Sequence, residues 1–468
     1  MTKEMSTTVQ DIFARIEDGA PMTLPEQILF ELEAWEQSEG LYWMQVGRRY
    51  YAGRNDIEDR QRLIIGEDGR QVADDRLPNN RLAHGFLRKL VRQKATYLLG
   101  KPFSLEWDSQ EFAGLADGWL RDGRAVLRAA LKDAVICGIG WIHVYYDEEG
   151  RLQTCHMPPE QLIPVWRDEE HRELDACIRW ADIEEFQGKE RVIRRQVEYW
   201  DKDEVWRYIL RDGKLLDETH QPHATIDGGE QGFSWGRVPF VPVRYNEEET
   251  PLIRFVKPLI DGYDRLVSDN SNTLEEAPNG IYVLKNYDGM NLGEFRKNLA
   301  YYRAVKVSGD GGLSTLSTPL DTPALEAQLL RLRHGIYEFG QGVEHWGEES
   351  TNNLSGIALR FRYAELDMDC AQLAAELDDA AGQALAFFKK HLDHSGQGDF
   401  AGARVHIVFN TDTLINESET IANLHASQGL LSTETLVAQH PYVGNVEQEL
   451  ARMKNEGLLD ATPFTKEE

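Results

Sequence analysis

The stretch TPLIRFVKPLIDGYDRLVSDNSNTLEE, residues 250–276, decides the fold. Thr250-Pro251 sets a capping residue before a proline at the first helical position. Leu252, Phe255, Leu259, Tyr263 and Leu266 follow at helical spacing. After Val267 the apolar stripe stops, although residues 268–276 remain helix-compatible until Pro278. A helix that is apolar at one end and polar at the other runs out of its own core. Its second half is expected in solvent or against other subunits.

The same cap-then-proline device recurs at Asp321-Thr322-Pro323. There Leu325, Leu329, Leu332, Ile336 and Phe339 step 4, 3, 4, 3, a heptad seam for packing along a partner helix, and Gly340 and Gly342 end it. Between the two helices lies a compact insert, read as a strand over 281–286, a helix over 292–302, a strand over 304–308 and a turn over 309–312. Lys285, Arg296, Lys297, Arg303 and Lys306 outnumber Asp288, Glu294 and Asp310, so the insert is slightly basic. A polar, breaker-rich loop follows the second helix over 343–354. Trp346, flanked by Gly, Glu and Asn, has little local core to join there. It is either a staple on a helix end or part of a mobile loop lining an assembly's interior. From Ser355 to about Leu392 the seam Leu359, Tyr363, Leu366, Cys370, Leu373, Leu377, Ala380, Ala384 predicts a helix roughly 55 Å long.

Upstream, residues 1–53 read as mixed and helical, and 56–76 as loop. Asn79-Asn80 offers caps to a helix over 81–99, stopped by Gly100 and Pro102. Its outer face carries Arg88, Lys89, Arg92 and Lys94, read as a solvated basic face or a contact with an acidic neighbour. Residues 139–242 are strand-rich: GWIHVYY at 140–146, a DEEG turn, a strand over 152–157, and a meander over 192–216 turning at Arg211-Asp212-Gly213. The proline-rich 238–245 strand belongs at an edge. Beyond a break at 396–402 come a strand over 405–410, a capping box at Asn416-Glu417-Ser418-Glu419 opening a helix to about Leu430, and a helix capped by Ser432.

The 468 residues are 41% hydrophobic and 10% aromatic, enough for a sizeable core. The formal net charge of −28 argues against gripping a nucleic-acid backbone, so any contact with DNA is expected to be weak and sliding. Cys137, Cys155, Cys177 and Cys370 form no CxxC pair and read as reduced, mostly buried small hydrophobes rather than a zinc site. With no signal peptide and no apolar run of 18 residues, the chain reads as soluble and intracellular where it is made. There is no GxxxxGK[ST], GxSxG, HExxH or GxGxxG after a strand. His220/His223 and His391/His394 read as surface histidines. Asp367, Asp369, Glu348 and Glu349 read as ordinary exposed acids. No catalytic residue, metal site or cofactor is expected.

Three ordered sets of motifs resemble one family. The first is Tyr50-Tyr51-Ala52-Gly53, then Leu77-Pro78-Asn79-Asn80-Arg81, then Lys94-Ala95-Thr96-Tyr97-Leu98-Leu99-Gly100-Lys101-Pro102. The second runs from Val238-Pro239 through Pro258-Leu259-Ile260-Asp261-Gly262-Tyr263-Asp264 to Ser268-Asp269-Asn270-Ser271-Asn272. The third is Tyr337-Glu338-Phe339-Gly340-Gln341-Gly342-Val343 with Leu354-Ser355-Gly356-Ile357. Together, over about residues 45–456, they resemble the portal proteins of tailed double-stranded-DNA bacteriophages, in the branch typical of long-tailed phages of Gram-positive hosts.

The resemblance implies an α+β ring subunit. It would have a mixed α/β wing (1–250), a stem pair (251–278 and 322–342) and a small α/β clip (279–321). A tunnel loop (343–354), a long wing helix (355–400) and a mainly helical wing or crown with the C-terminal tail (401–468) would complete it. It implies a ring, usually of twelve copies, that passes DNA without sequence specificity at one vertex of the virion capsid. Other implied partners are capsid and scaffolding proteins, the large terminase motor, and head-completion or tail adaptors. Assembly would take place in the host cytoplasm. The implied tunnel-loop residues are Val343, Glu344, His345, Trp346, Gly347, Glu348, Glu349, Ser350, Thr351, Asn352 and Asn353. Arg331 and Arg333 are the basic candidates in the stem, and Lys285, Arg296, Lys297, Arg303 and Lys306 would dock partners at the clip. Two other classes fit less well. A DNA-processing or metal-dependent hydrolase of a phage operon needs a carboxylate or histidine cluster. A non-portal ring connector would be much smaller.

Overall fold

The computed structural model describes residues 22–456, apart from 66–68, 74–76, 102, 227–230, 277–280, 286–309, 311, 317–321, 345–355, 410–416, 441 and 444–445. Two helices, α1 (Leu24–Glu36) and α2 (Glu39–Tyr51), open the described chain, followed by a short hairpin of β1 (Leu63–Ile65) and β2 (Gln71–Ala73). Then come α3 (Phe86–Leu99), β3 (Ser104–Trp107), α4 (Gln110–Asp122) and α5 (Arg124–Cys137). The helix expected from residue 81 therefore starts five residues later, at Phe86. Asn79 and Asn80 do not cap it; Gly85 stands at the N-cap.

The strand-rich block is β4 (Ile139–Tyr146), β5 (Leu152–Met157), β6 (Leu162–Trp166), β7 (Leu174–Gln187), β8 (Glu190–Trp200), β9 (Glu204–Arg211) and β10 (Lys214–Pro222). The short β11 (Ala224–Ile226) and β12 (Gln231–Phe233) follow, then β13 (Phe240–Arg244). Strands 10-9-8-7-6 form an antiparallel meander, and 13-4-5 a second sheet. The β9–β10 hairpin turns at Asp212 (φ 50°) and Gly213 (φ 71°), left-handed positions that Asp and Gly tolerate. Among the described residues β13 pairs only with β4, so Pro242 lies at a sheet edge, where its missing N–H breaks no ladder.

Each sheet has a different cover. Ile28 of α1 packs on Ile163, Ile178, Val197 and Tyr208 of the meander. The larger core joins α3, α5, β4 and β13 to the long C-terminal helix. Gly138 (φ 92°) makes the turn from α5 to β4, where a β-carbon would lie 1.9 Å from the Glu249 carbonyl oxygen; only glycine fits.

The remaining elements are α6 (Ile253–Glu276), β14 (Ile281–Lys285), β15 (Gly312–Leu316), α7 (Thr322–Phe339), α8 (Gly356–His394), β16 (Val405–Val408), α9 (Glu417–Ala426), α10 (Thr433–Ala438) and α11 (Val446–Asn455). β15, which follows the turn expected over 309–312 and was not itself expected, is the antiparallel partner of β14. The helix and strand expected over 292–302 and 304–308 lie outside the described residues. The α8 seam is buried from Leu366 through Ala384. β16 pairs with β3, tying the C-terminal region back to the N-terminal half. Ser432 caps α10, accepting from the Thr435 amide.

Candidate stem–loop junction

The buried face of α6 is not the stripe expected from its leucines. Ile253, Val256, Ile260, Asp264, Ser268 and Asn272 are buried, whereas Phe255 is half exposed. The stripe does not stop after Val267; it changes chemistry. Asp264 Oδ1 accepts the His84 amide at 3.0 Å, Ser268 Oγ the Leu82 amide at 3.0 Å, and Asn272 Oδ1 the Asn80 amide at 2.7 Å. Four helical residues advance about 6 Å and two residues of extended chain about 6.7 Å. Every second amide of residues 80–84 therefore meets every fourth side chain of α6. Asp264 also lies 2.7 Å from His84 Nδ1 and accepts from Asn55 Nδ2 at 2.6 Å. A fully buried carboxylate is thus surrounded by donors, the condition under which burying it is tolerable.

α6 and α7 run antiparallel and close. A β-carbon at Gly262 would lie 3.5 Å from Leu332, and one at Gly335 would lie 3.4 Å from Leu259. α7 ends in the turn Gly340-Gln341-Gly342, with Gln341 at φ 46°. The turn is pressed onto α3: a β-carbon at Gly342 would lie 2.3 Å from Leu90 Cδ2. Gln93 grips the next residue at both backbone groups, donating to the Val343 carbonyl (2.7 Å) and accepting from its amide (3.3 Å).

Lys94 is fully buried, not on a solvated basic face. Its ammonium donates to the Gln341 carbonyl at 3.0 Å and to Asp369 Oδ2 at 2.6 Å, and Tyr245 donates to Asp369 Oδ1 at 3.1 Å. Asp369 is accordingly not the exposed acid expected from its neighbours, and Asp367 accepts from the Tyr97 hydroxyl. Burial, with the Asp369 charge beside it, holds the Tyr245 hydroxyl well above its ordinary pKa. Burial also pushes the Cys370 thiol up to about 12, so it is an inert part of the seam. Cys137 and Cys177 are buried as expected; Cys155 is half-buried.

Glu344 draws two helices together: Arg333 of α7 donates to its carboxylate and Arg362 of α8 to its carbonyl. Of the expected site residues, this brings together Arg333, Val343 and Glu344. Arg331 is exposed on α7, and Lys285 is exposed at the end of β14. His345, Trp346, Gly347, Glu348, Glu349, Ser350, Thr351, Asn352 and Asn353 lie outside the described residues. So do Arg296, Lys297, Arg303 and Lys306.

The histidine pairs are engaged elsewhere. His220 stacks on Trp206 at 4.6 Å. His223 is no surface residue: it lies between the Asp201 carbonyl (3.0 Å) and the Trp235 amide (3.2 Å). His391 Nδ1 is 3.0 Å from the Tyr146 hydroxyl, and His394 packs on Phe233 at 4.5 Å. Among the described residues no group of three or more His, Cys, Asp or Glu could hold a metal ion. Among the described residues no helix is long and apolar enough to cross a membrane.

A second buried ionic node ties α2 to α5. Arg48 donates to both oxygens of Asp133 at 2.5 Å and to Glu160, and His156 Nε2 lies 2.6 Å from Asp133. Burial alone would raise the Asp133 carboxyl; His156 and Arg48 overcome that and hold it below the usual carboxylate range.

The sequence reading missed Gln93, Lys94, Tyr245, Asp369 and the Asp264-Ser268-Asn272 ladder. One signal was present for the ladder, since its four-residue spacing continues that of Val256 and Ile260. Lys94 stands between Val91 and Leu98, apolar neighbours that belong to a buried face.

The family model described as "Phage portal protein, SPP1 Gp6-like" matches residues 40–458. The chain belongs to this family. The portal protein of Bacillus phage SPP1 is 33% identical over 423 residues, covering 88% of this chain and 82% of that protein. The portal protein of Clostridium phage phiCD119 is 27% identical over 424 residues, covering 86% and 89%. A chain in a structure described as the neck of a native GTA particle aligns with a TM-score of 0.40 at 12% identity, over 76% of this chain and 89% of that one. The function is that of a phage portal protein, with capsid, DNA-packaging and ring roles following from the family. The family is structural rather than enzymatic, and its members are virion components.

Proposed function

We propose that twelve copies form a ring at one capsid vertex, through which double-stranded DNA enters during packaging and leaves at ejection. The observation that carries this reading is the antiparallel α6–α7 pair. It brackets an insert and hands on, through an anchored turn, to the segment before α8, in a chain of the portal family. On this reading 1–250 is wing, α6 and α7 are stem, 279–321 is clip, 343–354 is tunnel loop, 355–400 is long wing helix and 401–468 is wing or crown. The clip docks the terminase motor first and the head-completion or tail adaptors later; capsid and scaffolding proteins surround the ring. Assembly takes place in the host cytoplasm. The chain brings no catalytic group, metal or cofactor; the motor supplies the energy.

The channel works by not adhering. A net charge of −28 per copy repels phosphates and keeps contacts brief. In the stem, Arg331 is left to offset that repulsion, because Arg333 is neutralised by Glu344. Trp346 and its loop neighbours touch the passing DNA. Native mass spectrometry with negative-stain imaging tests the class: a ring with a central hole and a mass near twelve copies is expected. A chain that stays small at high concentration and with scaffold added overturns it. Particles carrying Trp346→Ala that package and retain DNA normally overturn the loop contact. Charge reversal at Arg296 and Lys297 that leaves terminase and adaptor binding intact overturns the clip assignment.

A further inference from the structure

The β-rich block carries a projection and a cleft that fit one another. β7 and β8 outrun their neighbours. β9 stops opposite Arg195 and β6 opposite Arg179, so among the described residues the rows from Ile183–Arg194 out to Gln187–Glu190 pair only with each other. On one face of this two-stranded ribbon Phe186 is 77% exposed and Ile193 63%. They sit two rows apart, and so on the same face, opposite Arg191 and Glu184. α1 covers that face only as far as Arg195, which reaches Glu36 at 3.3 Å. A two-stranded ribbon has no core of its own, and an exposed aromatic beside an exposed aliphatic marks a contact surface.

The cleft, of about 1000 Å³, opens on the other face of the same sheet, against the β4–β5 turn and the end of α8. Tyr145, Tyr146 and Trp200 line it, and one wall is the row Arg179, Glu198, Arg207. The two guanidiniums share the single Glu198 carboxylate, at 3.0 and 3.3 Å, and Arg179 Nε is buried with no hydrogen-bond partner among the described residues. His143, 7% exposed, also lines the cleft. Its Nδ1 is engaged with the Pro239 carbonyl at 2.9 Å. That leaves Nε2 of the neutral ring as an acceptor with no partner among the described residues.

We propose that the ribbon tip of one copy seats in this cleft of the next, with Phe186 and Ile193 against the aromatic lining. Glu190 at the ribbon turn is placed against Arg179 and Arg207, and Lys189 beside it against Glu148, which with Asp147 and Glu149 lines the opposite wall. A knob and a hole on different parts of one chain make a head-to-tail contact, which closes into a ring when the rotation allows. The inference rests on the ring reading above and specifies the surfaces that build it.

The test uses the full chain. Phe186→Cys places a thiol on the ribbon, and native Cys155 lines the cleft of the next copy. A short bismaleimide is added to assembled rings, with the wild type and Phe186→Cys/Cys155→Ser as controls. Cross-linked multimers specific to Phe186→Cys are expected. Rings seen by native mass spectrometry that give only monomer on a denaturing gel overturn the proposal while leaving the ring reading intact. If no ring forms under any condition, the ring reading fails and the proposal with it. Phe186→Asp/Ile193→Asp changes only exposed side chains, so its melting temperature should match the wild type. The concentration for half-assembly is expected to rise at least tenfold; unchanged assembly overturns the proposal.

Discussion

Lys94 and Asp369 lie 275 residues apart in sequence and 2.6 Å apart in space, with both side chains buried. The pair joins α3 to α8, and a second N–H of the ammonium reaches the Gln341 carbonyl, so the end of α7 is held at the same point. Removing one partner of a buried pair leaves an uncompensated charge, whereas removing both leaves only a packing problem. Lys94→Met is therefore expected to cost about 3–5 kcal/mol of unfolding free energy. Lys94→Met/Asp369→Leu should recover most of it. Urea denaturation of the three proteins checks this, and a double variant no better than the single would refute it.

The α6 ladder makes a residue-resolved prediction. Asp264→Ala strips the acceptor from the His84 amide, from His84 Nδ1 and from Asn55. Bonds to a charged group are worth about 1.5–3 kcal/mol each, partly recovered by water, so a loss of about 3 kcal/mol is expected. Ser268→Ala removes only the acceptor for Leu82 and should cost about 1 kcal/mol. Hydrogen exchange should speed at His84 in the first variant and at Leu82 in the second, with the other amide little changed.

His143 sets a pH dependence. Burial lowers its pKa from an ordinary 6.5 to about 4, despite the Pro239 carbonyl, which pulls the other way. A base with a depressed folded pKa binds its proton more readily when unfolded, so stability falls as pH drops below 6.5 and the loss levels off near pH 4. A shift of that size corresponds to about 3 kcal/mol across the window. His143→Gln should flatten the wild-type curve between pH 6.5 and 4, measured by chemical denaturation at each pH.

Asp133 acts in the same direction at lower pH. Its folded pKa is depressed below 3.8, so its contribution is present above that value and disappears as pH falls through the folded pKa. Asp133→Asn should therefore lose stability at neutral pH and show a shallower fall below pH 4, read from thermal melts.

Gly342→Ala would drive a β-carbon to 2.3 Å from Leu90 Cδ2 and 2.9 Å from Gln93 Oε1. Overpacking of this kind costs about 1–3 kcal/mol. Leu90→Ala costs more alone, by leaving a cavity, but it removes the clash. The double variant should be less destabilised than the sum of the two, a coupling visible in a double-mutant cycle.

The features legible from sequence are those whose signal is local. The Asp212-Gly213 turn, the edge strand around Pro242 and the α8 seam from Leu366 to Ala384 depend on neighbours a few positions away. The α6 ladder was not legible, because reading polar residues as exposed assumes that burial requires apolarity. Asp264, Ser268 and Asn272 are buried by amides from residues 80–84, and nothing near 264 announces that segment. Asn79-Asn80 was misread for the complementary reason: an Asn pair before an apolar run has the local look of a cap, but Asn80 bonds to Asn272 and Glu275. Lys94 and Asp369 fail alike, each resembling a surface charge until the other is beside it. The α6–α7 pairing was half legible: the seam leucines were visible, but the glycines that let the helices approach, Gly262 and Gly335, did not stand out.

The step match between α6 and residues 80–84 also governs where the gene can change length. Deleting one residue from 80–84 would turn the following amides away from the helix, and one codon more or fewer between Asp264 and Asn272 would rotate the remaining ladder residues about 100° out of line. Neither strand of the contact can slip against the other by less than a full helical turn. Length variation is therefore expected after Glu276, where the ladder has ended, and not within it.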